Sequence, residues 1–142
     1  MNYLLDTNVV SEWIKHRPNA NVVRWVAEAG EDQVCLSVLT FAEIQKGVEE
    51  MAAGQRRDAV SSWVQGELLQ RFEGRIFGVD LSIAASWGSL MARSKKMGIN
   101  LSVMDAFLAA TAEVHRLTLV TRNTKHFEKL GIAFLNPWLE QG

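Results

Sequence analysis

Short apolar runs recur along the chain, and longer segments with a different spacing separate them. The runs are too short for helices and show little alternation of apolar with polar positions, which is typical of strands buried on both faces of a parallel sheet. We predict five such strands, at residues 3–5, 34–36, 76–79, 118–120 and 133–135.

Between these runs, apolar residues recur at the three- and four-residue spacing of one helix face. This spacing predicts helices over residues 22–29, 41–51, 59–69, 83–91 and 104–114. Strands that alternate with helices favour an α/β fold, in which helices cover both sides of an open sheet. Glycines fall where helices are expected to stop, which predicts left-handed caps at positions 30, 54, 74, 98 and 131.

Size and composition fit one domain, which we expect to span residues 1–142. Of the 142 residues, 48% are hydrophobic and 22% are charged, and no repeat or low-complexity tract is visible. The sole cysteine, Cys35, excludes an internal disulfide and a multi-cysteine zinc site and fits a reducing compartment. No segment approaches the ~20 apolar residues that a membrane span needs. We therefore expect a cytoplasmic protein without a membrane partner.

Polar residues follow three of the predicted strands, at the edge where open α/β sheets bind their ligands. The segments are residues 6–8, 37–43 and 121–123, and a helix that begins near residue 102 adds a further acid. The acids in these segments are Asp6, Glu43 and Asp105. If the first, second and fourth strands are neighbours, all three acids converge on one end of the sheet.

Each acid also has a purely structural interpretation. Thr40-x-x-Glu43 and Ser102-x-x-Asp105 match the capping box, and Asp6 is suited to capping the helix after the first strand. Together, however, carboxylates about 5 Å apart repel by roughly 3 kcal/mol per pair at an effective dielectric of about 20. A divalent cation would offset this repulsion, and hard oxygen ligands favour Mg²⁺ or Mn²⁺ over zinc. The pattern indicates metal-assisted phosphodiester hydrolysis.

Four stretches of the sequence resemble the motifs of PIN-domain ribonucleases, specifically VapC-type toxins and their FitB-like relatives. They are residues 4–12 (LLDTNVVSE), 36–47 (LSVLTFAEIQKG), 105–112 (DAFLAATA) and 119–123 (LVTRN), followed by Phe127 and the closing Asn136-Pro137-Trp138. The resemblance runs from residue 3 to residue 138 in the family's order, and the combination is much more specific than any one stretch.

The resemblance implies a PIN-like three-layer α/β/α sandwich with a central parallel five-stranded sheet. It also implies Mg²⁺-dependent endoribonuclease activity, with Mn²⁺ as a substitute ion, and an acidic site of Asp6, Glu43 and Asp105. Many members have a fourth acid where this chain has Asn123. An amide can ligate through its oxygen or order a metal-bound water, but it adds no charge, so we expect one firmly bound ion.

The resemblance further implies a homodimer and inhibition by a VapB-type antitoxin, with DNA contacted only through that antitoxin. The antitoxin's C-terminal tail is expected in the acidic cleft. The predicted helical hairpin from Phe41 to Phe72 carries many apolar side chains for one sheet face. Part of it suits a dimer contact or a groove that receives an amphipathic antitoxin helix.

In the mechanism that we expect, Asp6 and Asp105 hold Mg²⁺ directly or through its waters, and Glu43 orients or deprotonates the attacking water. Asn123 completes the catalytic set. Polar neighbours are expected to fix the carboxylates, and these are Thr7, Asn8, Ser37 and Thr121. Basic residues are expected to bind RNA phosphates, and these are Arg122, Lys125 and Arg93.

Three other interpretations remain open at this stage. A phosphatase of the haloacid dehalogenase kind needs an acid two residues after the first aspartate, where this chain has Asn8. A receiver domain needs paired acids after the first strand, although Asp80 suits its phosphoacceptor position. The third is a catalytically weak PIN-fold module that acts mainly through antitoxin and DNA-bound complexes.

The net charge of −1 excludes a polycation, but its distribution is uneven. Residues 1–84 carry 8 basic and 12 acidic side chains, whereas residues 85–130 carry 7 basic and 3 acidic ones. Acids that hold a metal and bases that attract phosphate are therefore both available, which is compatible with an RNA substrate.

Overall fold

The computed structural model describes residues 1–139. Within them, the five strands of one sheet are β1 (Tyr3–Leu5), β2 (Val34–Ser37), β3 (Ile76–Phe77), β4 (Thr118–Val120) and β5 (Phe134–Leu135). Neighbouring strands all pair in parallel, in the order β3-β2-β1-β4-β5. The strands β1, β2 and β4 are therefore adjacent, as the convergence of the three acids requires.

The helices cover both faces of the sheet. They are α1 (Thr7–Glu12), α2 (Ala20–Ala29), α3 (Val38–Glu50), α4 (Gln55–Trp63), α5 (Leu69–Arg71), α6 (Leu81–Lys96) and α7 (Val103–His115). A π-helical turn over Val64–Leu68 joins α4 to α5. Three predicted segments each lie within one helix, the segment 41–51 extends one residue beyond α3, and the segment 59–69 runs from α4 through the π-helical turn into α5. This confirms the predicted α/β architecture.

Two apolar cores explain why the strands show no alternation. Leu5 and Val120 pack on one face with side chains of α1 to α4, and Leu4 and Leu119 pack on the other face with side chains of α6 and α7. All four leucine and valine side chains are fully buried. Because both faces are covered, apolar residues occupy consecutive positions of a central strand, as Leu4 and Leu5 do in β1. The result is the three-layer α/β/α sandwich.

Helix ends differ from the predictions in three places. The capping box at Thr40 is wrong, because β2 runs to Ser37 and this residue caps α3: its Oγ accepts the Leu39 N–H at 3.0 Å. Gly54 (φ 154°) precedes α4 and does not end α3. Conversely, α7 ends in a left-handed residue that is not glycine, Arg116 (φ 56°).

Within residues 1–139, no helix combines the length and the apolar content that crossing a membrane requires.

Candidate active site

A polar cleft of about 410 Å³ opens beyond the carboxyl ends of β1, β2 and β4. The predicted acids and Asn123 all line it, and they come from four separate parts of the chain. The lining residues are Asp6, Thr7, Asn8, Ser11, Glu12, Lys15, Glu43, Asp105, Arg122, Asn123 and Trp138. Parallel strands deliver their carboxyl ends to one edge, and this places residues far apart in sequence within one cleft.

Asp6 is the most buried of the predicted acids, with 6% of its surface exposed. It follows β1 directly and caps α1, with Oδ1 accepting the Thr7 N–H at 2.6 Å. Its Oδ2 accepts the Thr121 hydroxyl at 2.7 Å. Burial raises the pKa of Asp6; these hydrogen bonds lower it, the charges of Asp105 and Glu43 raise it further, and the net pKa lies above the usual value.

Glu43 lies on α3, one and a half turns from the helix start, and is half-buried. Its Oε1 accepts the Thr7 hydroxyl at 2.7 Å. Thr7 therefore contacts two of the acids, Asp6 through its backbone and Glu43 through its side chain. These two contacts fix the positions of the two carboxylates relative to each other.

Asp105 and Asn123 are joined directly, since Asn123 Nδ2 donates to Asp105 Oδ2 at 3.2 Å. The Asp105 N–H also donates to Ser102 Oγ at 3.1 Å, so the Ser102 half of the predicted capping box forms, while the Asp105 carboxylate accepts from Asn123. The Asn123 N–H donates to Thr121 Oγ1 at 3.0 Å. A continuous chain of hydrogen bonds thus runs from Asp6 through Thr121 and Asn123 to Asp105.

The other predicted supporting residues, Asn8 and Ser37, differ in position. Asn8 accepts the Arg122 N–H at 3.4 Å, and its Nδ2 lies 3.5 Å from Thr121 Oγ1. It therefore braces the segment that follows β4. Ser37 is buried, and its hydroxyl caps α3. It acts on Glu43 only by setting where that helix begins.

Of the three predicted basic residues, Arg122 alone lines the cleft in the described part of the chain. Its guanidinium lies 5.2 Å from the centroid of the Trp138 ring. Arg93 instead donates through Nη2 to the Leu130 carbonyl at 2.9 Å, so its guanidinium is engaged away from the cleft. Lys125 is exposed and lies outside the lining. The basic end of α6, which includes Arg93, precedes the Asp105 motif in the sequence but does not line the cleft.

Our sequence-based site set missed Glu12, Lys15 and Trp138, which the structure brings into the cleft. Glu12 is 3% exposed and forms an ion pair with Lys15. A weak signal was available, because Glu12 lies at the carboxyl end of α1, where the helix dipole disfavours an acid. Trp138 belongs to the closing Asn136-Pro137-Trp138 stretch, but its place in the cleft depends on tertiary structure, since its carbonyl accepts Asn21 Nδ2.

The geometry can be set beside known proteins. The PIN domain family model matches residues 3–133. The chain belongs to the PIN-domain family. Because the PIN model matches nearly the whole chain, it favours neither the haloacid dehalogenase nor the receiver interpretation. Asp80, the receiver candidate, caps α6 by accepting the Ile83 N–H at 3.0 Å.

Two relatives and one solved structure are closely similar to this PIN domain. VapC ribonuclease Y4jK from Sinorhizobium fredii is 37% identical over 135 residues, which cover 95% of this chain and 96% of that protein. The toxin FitB from Neisseria gonorrhoeae is 36% identical over 135 residues, 95% of this chain and 97% of that protein. The structure of FitAB bound to an IR36 DNA fragment has a chain that superposes with a TM-score of 0.92 at 34% identity, covering 99% of this chain and 98% of that one.

The donor set of the PIN domain fits a loosely ligated hard cation. Among residues 1–139, no three His, Cys, Asp or Glu side chains lie close enough together to hold one ion between them. Mg²⁺ does not need such a cage, because one or two carboxylates and several waters suffice. The charges of Asp105 and Glu43 both raise the pKa of Asp6, so the acids repel one another across the cleft. A divalent cation there would relieve that repulsion.

Proposed function

We propose that this PIN domain is the endoribonuclease toxin of a VapBC-type toxin–antitoxin module and that it hydrolyses RNA phosphodiester bonds with Mg²⁺, for which Mn²⁺ substitutes. The observation that carries the proposal is the convergence of Asp6, Glu43 and Asp105 on one polar cleft. Relatives named VapC ribonuclease and toxin, with near-complete coverage, support the same activity.

In this proposal Asp6 and Asp105 hold the ion, directly or through water. When bound, Mg²⁺ lowers the pKa of a water ligand and stabilises charge on the scissile phosphate. Glu43, held by the Thr7 hydroxyl, orients the attacking water and accepts its proton. Asn123 holds Asp105 through Nδ2 and adds no charge, which supports one firmly bound ion.

An apolar groove of about 240 Å³ next to the cleft suits the antitoxin. It shares Thr7, Ser11 and Glu43 with the cleft and continues over Ile14, which follows α1, and over apolar side chains of α3 and α4. We propose that an amphipathic antitoxin helix lies in this groove and that its tail enters the acidic cleft and blocks the site. We propose that DNA is then contacted only through the antitoxin; the similar FitAB structure is one of a complex bound to a DNA fragment.

A homodimer is part of the same proposal. Leu81 at the start of α6 is 89% exposed, and Val103 at the start of α7 is 53% exposed. The two helix starts are linked, since Trp87 of α6 stacks on Phe107 of α7 and donates to the Val103 carbonyl at 3.2 Å. We propose that these two helix starts form one apolar patch that a second copy of the chain covers, since contiguous apolar patches mark interaction sites.

We place this activity in the cytoplasm, where its RNA substrate is found. The sole cysteine agrees with a reducing compartment. Cys35 is fully buried, and burial raises the pKa of its thiol to about 12. The thiol therefore has no part in the chemistry at neutral pH.

The test is incubation of the purified protein with total RNA, in Mg²⁺ and separately in EDTA, followed by mapping of the new RNA ends. We expect cuts at defined positions in Mg²⁺ and none in EDTA. Cuts that persist in EDTA would exclude the proposed mechanism. Intact RNA in both arms would favour the alternative, a catalytically weak module that acts through its complexes.

A further inference from the structure

Glu12 is a second buried carboxylate in the cleft, and the mechanism above gives it no role. It is only 3% exposed. As the last residue of α1, it lies where the carbonyl groups of the helix end disfavour a negative charge. A buried acid in that position has to be stabilised by specific partners.

The direct partners of Glu12 are one cation, Lys15, and one backbone amide, and Arg122 acts on it through charge alone. Glu12 Oε1 accepts the Asn19 N–H at 2.8 Å, and Oε2 forms an ion pair with Lys15 Nζ. Burial raises the pKa of Glu12, but Lys15, the Asn19 amide and the charge of Arg122 outweigh burial, and the net pKa is below the usual value. Glu12 is therefore ionised at neutral pH and lies under the influence of both cations.

The guanidinium of Arg122 is in direct contact with Trp138. It lies over the Trp138 ring, 5.2 Å from the centroid, a distance typical of a cation–π contact. The Trp138 carbonyl accepts Asn21 Nδ2 at 2.9 Å. Asn21 lies in the first turn of α2, whose cap is Asn19, the residue that Glu12 holds. Glu12 and Trp138 thus both accept hydrogen bonds from residues at the start of α2.

We propose that Glu12 is a positioning residue: it anchors Lys15 and, together with Trp138, orients Arg122, so that two cations face an RNA phosphate across the cleft from the metal-binding acids. We call Lys15 and Arg122 the phosphate seat. The inference rests on the ribonuclease function proposed above, and it adds a role to residues that our sequence-based site set left out.

A net-charge effect and a positioning role of Glu12 predict opposite changes in RNA affinity for Glu12→Gln. The substitution raises the net charge from −1 to 0, so a simple charge effect would strengthen binding to RNA. If Glu12 positions the phosphate seat, the same substitution weakens binding, because a phosphate contact is lost. Glutamine keeps an oxygen for the Asn19 N–H, so the start of α2 stays in place.

The experiment is to measure the binding of a short single-stranded RNA over a range of salt concentrations, in EDTA to prevent cutting. Losing one phosphate contact on a single strand reduces the slope of log K against log salt by ~0.7, or about fivefold in affinity near 0.1 M salt. We expect both changes for Glu12→Gln. The matched control is Glu28→Gln, the same charge change at an exposed position of α2, for which we expect equal or slightly tighter binding.

Lys15→Gln gives an independent arm, because Lys15 is 54% exposed and its loss does not threaten folding. We expect it also to weaken binding by about fivefold. The double variant Glu12→Gln with Lys15→Gln should lose less affinity than the product of the two single losses, since the first residue acts partly through the second.

Binding by Glu12→Gln that equals or exceeds the wild type, with an unchanged or steeper salt slope, would overturn the phosphate seat. A merely structural role would lower the melting temperature and leave the slope unchanged, and this outcome would also overturn it. Failure of the proposed function is separately visible, because the wild type would then not cut RNA in Mg²⁺ whatever the binding of the variants.

Discussion

The two ends of α1 carry two buried carboxylates with opposite properties. Asp6 caps the amino end, accepts only neutral donors and has a raised pKa; Glu12 ends the helix, pairs with Lys15 and has a lowered pKa. They are six positions apart in the sequence, and both line the same cleft. A buried acid without a cationic partner, such as Asp6, is suited to binding a metal cation. A buried acid that is already paired with a cation, such as Glu12, instead positions that cation to bind an anion.

The largest expected effect comes from neutralising the first of the two acids. Asp6→Asn should lower RNA cleavage by more than about a hundredfold, because loss of a metal ligand exceeds the cost of altering an outer-shell partner. The measurement is the single-turnover cleavage rate in Mg²⁺. Asp80→Asn is the matched control, since asparagine also caps a helix well and Asp80 lies outside the cleft lining. Equal rates for the Asp6 variant and the control would contradict the assignment of Asp6.

A smaller effect is expected from the hydroxyl that links the acids. Thr7→Val keeps the shape of the side chain but removes the donor to Glu43 Oε1. We expect cleavage to fall by about tenfold with a minor change in RNA affinity, because Glu43 is left less well oriented. The cleavage rate at saturating protein and the RNA affinity measured in EDTA separate these effects. An equal loss in both would show that Thr7 acts in binding and not in the chemistry.

The dependence of stability on pH should distinguish the two acids by sign. Asp6 has a raised folded-state pKa, so its charge destabilises the fold at neutral pH, and this penalty disappears as the pH falls through that pKa. Glu12 has a lowered folded-state pKa, so it stabilises the fold at neutral pH, and this gain is lost as the pH falls through that pKa.

Urea unfolding without metal tests this contrast. At neutral pH, Asp6→Asn should be more stable than the wild type, and Glu12→Gln less stable by about 1.5 kcal/mol, the contribution of a hydrogen bond to a charged group. Both differences should shrink in acid, that of Asp6 at the higher pH. A loss of stability in Asp6→Asn at neutral pH would remove the contrast between the two ends of α1.

The smallest effect is expected at Thr40, whose buried hydroxyl lines neither the Asp6 nor the Glu12 end of the cleft. Thr40 is fully buried, and in the described part of the chain its hydroxyl has no hydrogen-bond partner. Thr40→Val should therefore raise the free energy of unfolding by about 1 kcal/mol and leave cleavage unchanged. Reduced cleavage in this variant would show that α3 transmits changes at Thr40 to Glu43, one turn further along.

The sequence predicts the fold and most of the cleft for a physical reason. Strands buried on both faces appear in the sequence as nearly continuous apolar runs, and an acid directly after such a strand, like Asp6, is costly to bury without partners. The helix cap at Ser37 was missed because Thr40 also matches the pattern, and only the end of β2 decides between them.

The basic side of the cleft was harder to predict. Arg93 and Lys125 are near the motifs in sequence, but the path of the chain places them outside the cleft lining. Trp138 reaches the cleft through a tertiary contact with Asn21, whereas Lys15 is held by its i,i+3 ion pair with Glu12. A local pattern carries no information about the first contact, and it does not show that the Glu12 of the second is buried in the cleft.

In the proposed site, Mg²⁺ binds at the Asp6 end of the cleft and is held by Asp6 and Asp105. The most direct measurement is calorimetric titration of Mg²⁺ into the metal-free protein, its Asp6→Asn variant and its Glu12→Gln variant. We expect one ion bound by the wild type and by Glu12→Gln, and none by Asp6→Asn. Equal binding by all three proteins, or loss of binding in Glu12→Gln alone, would contradict it.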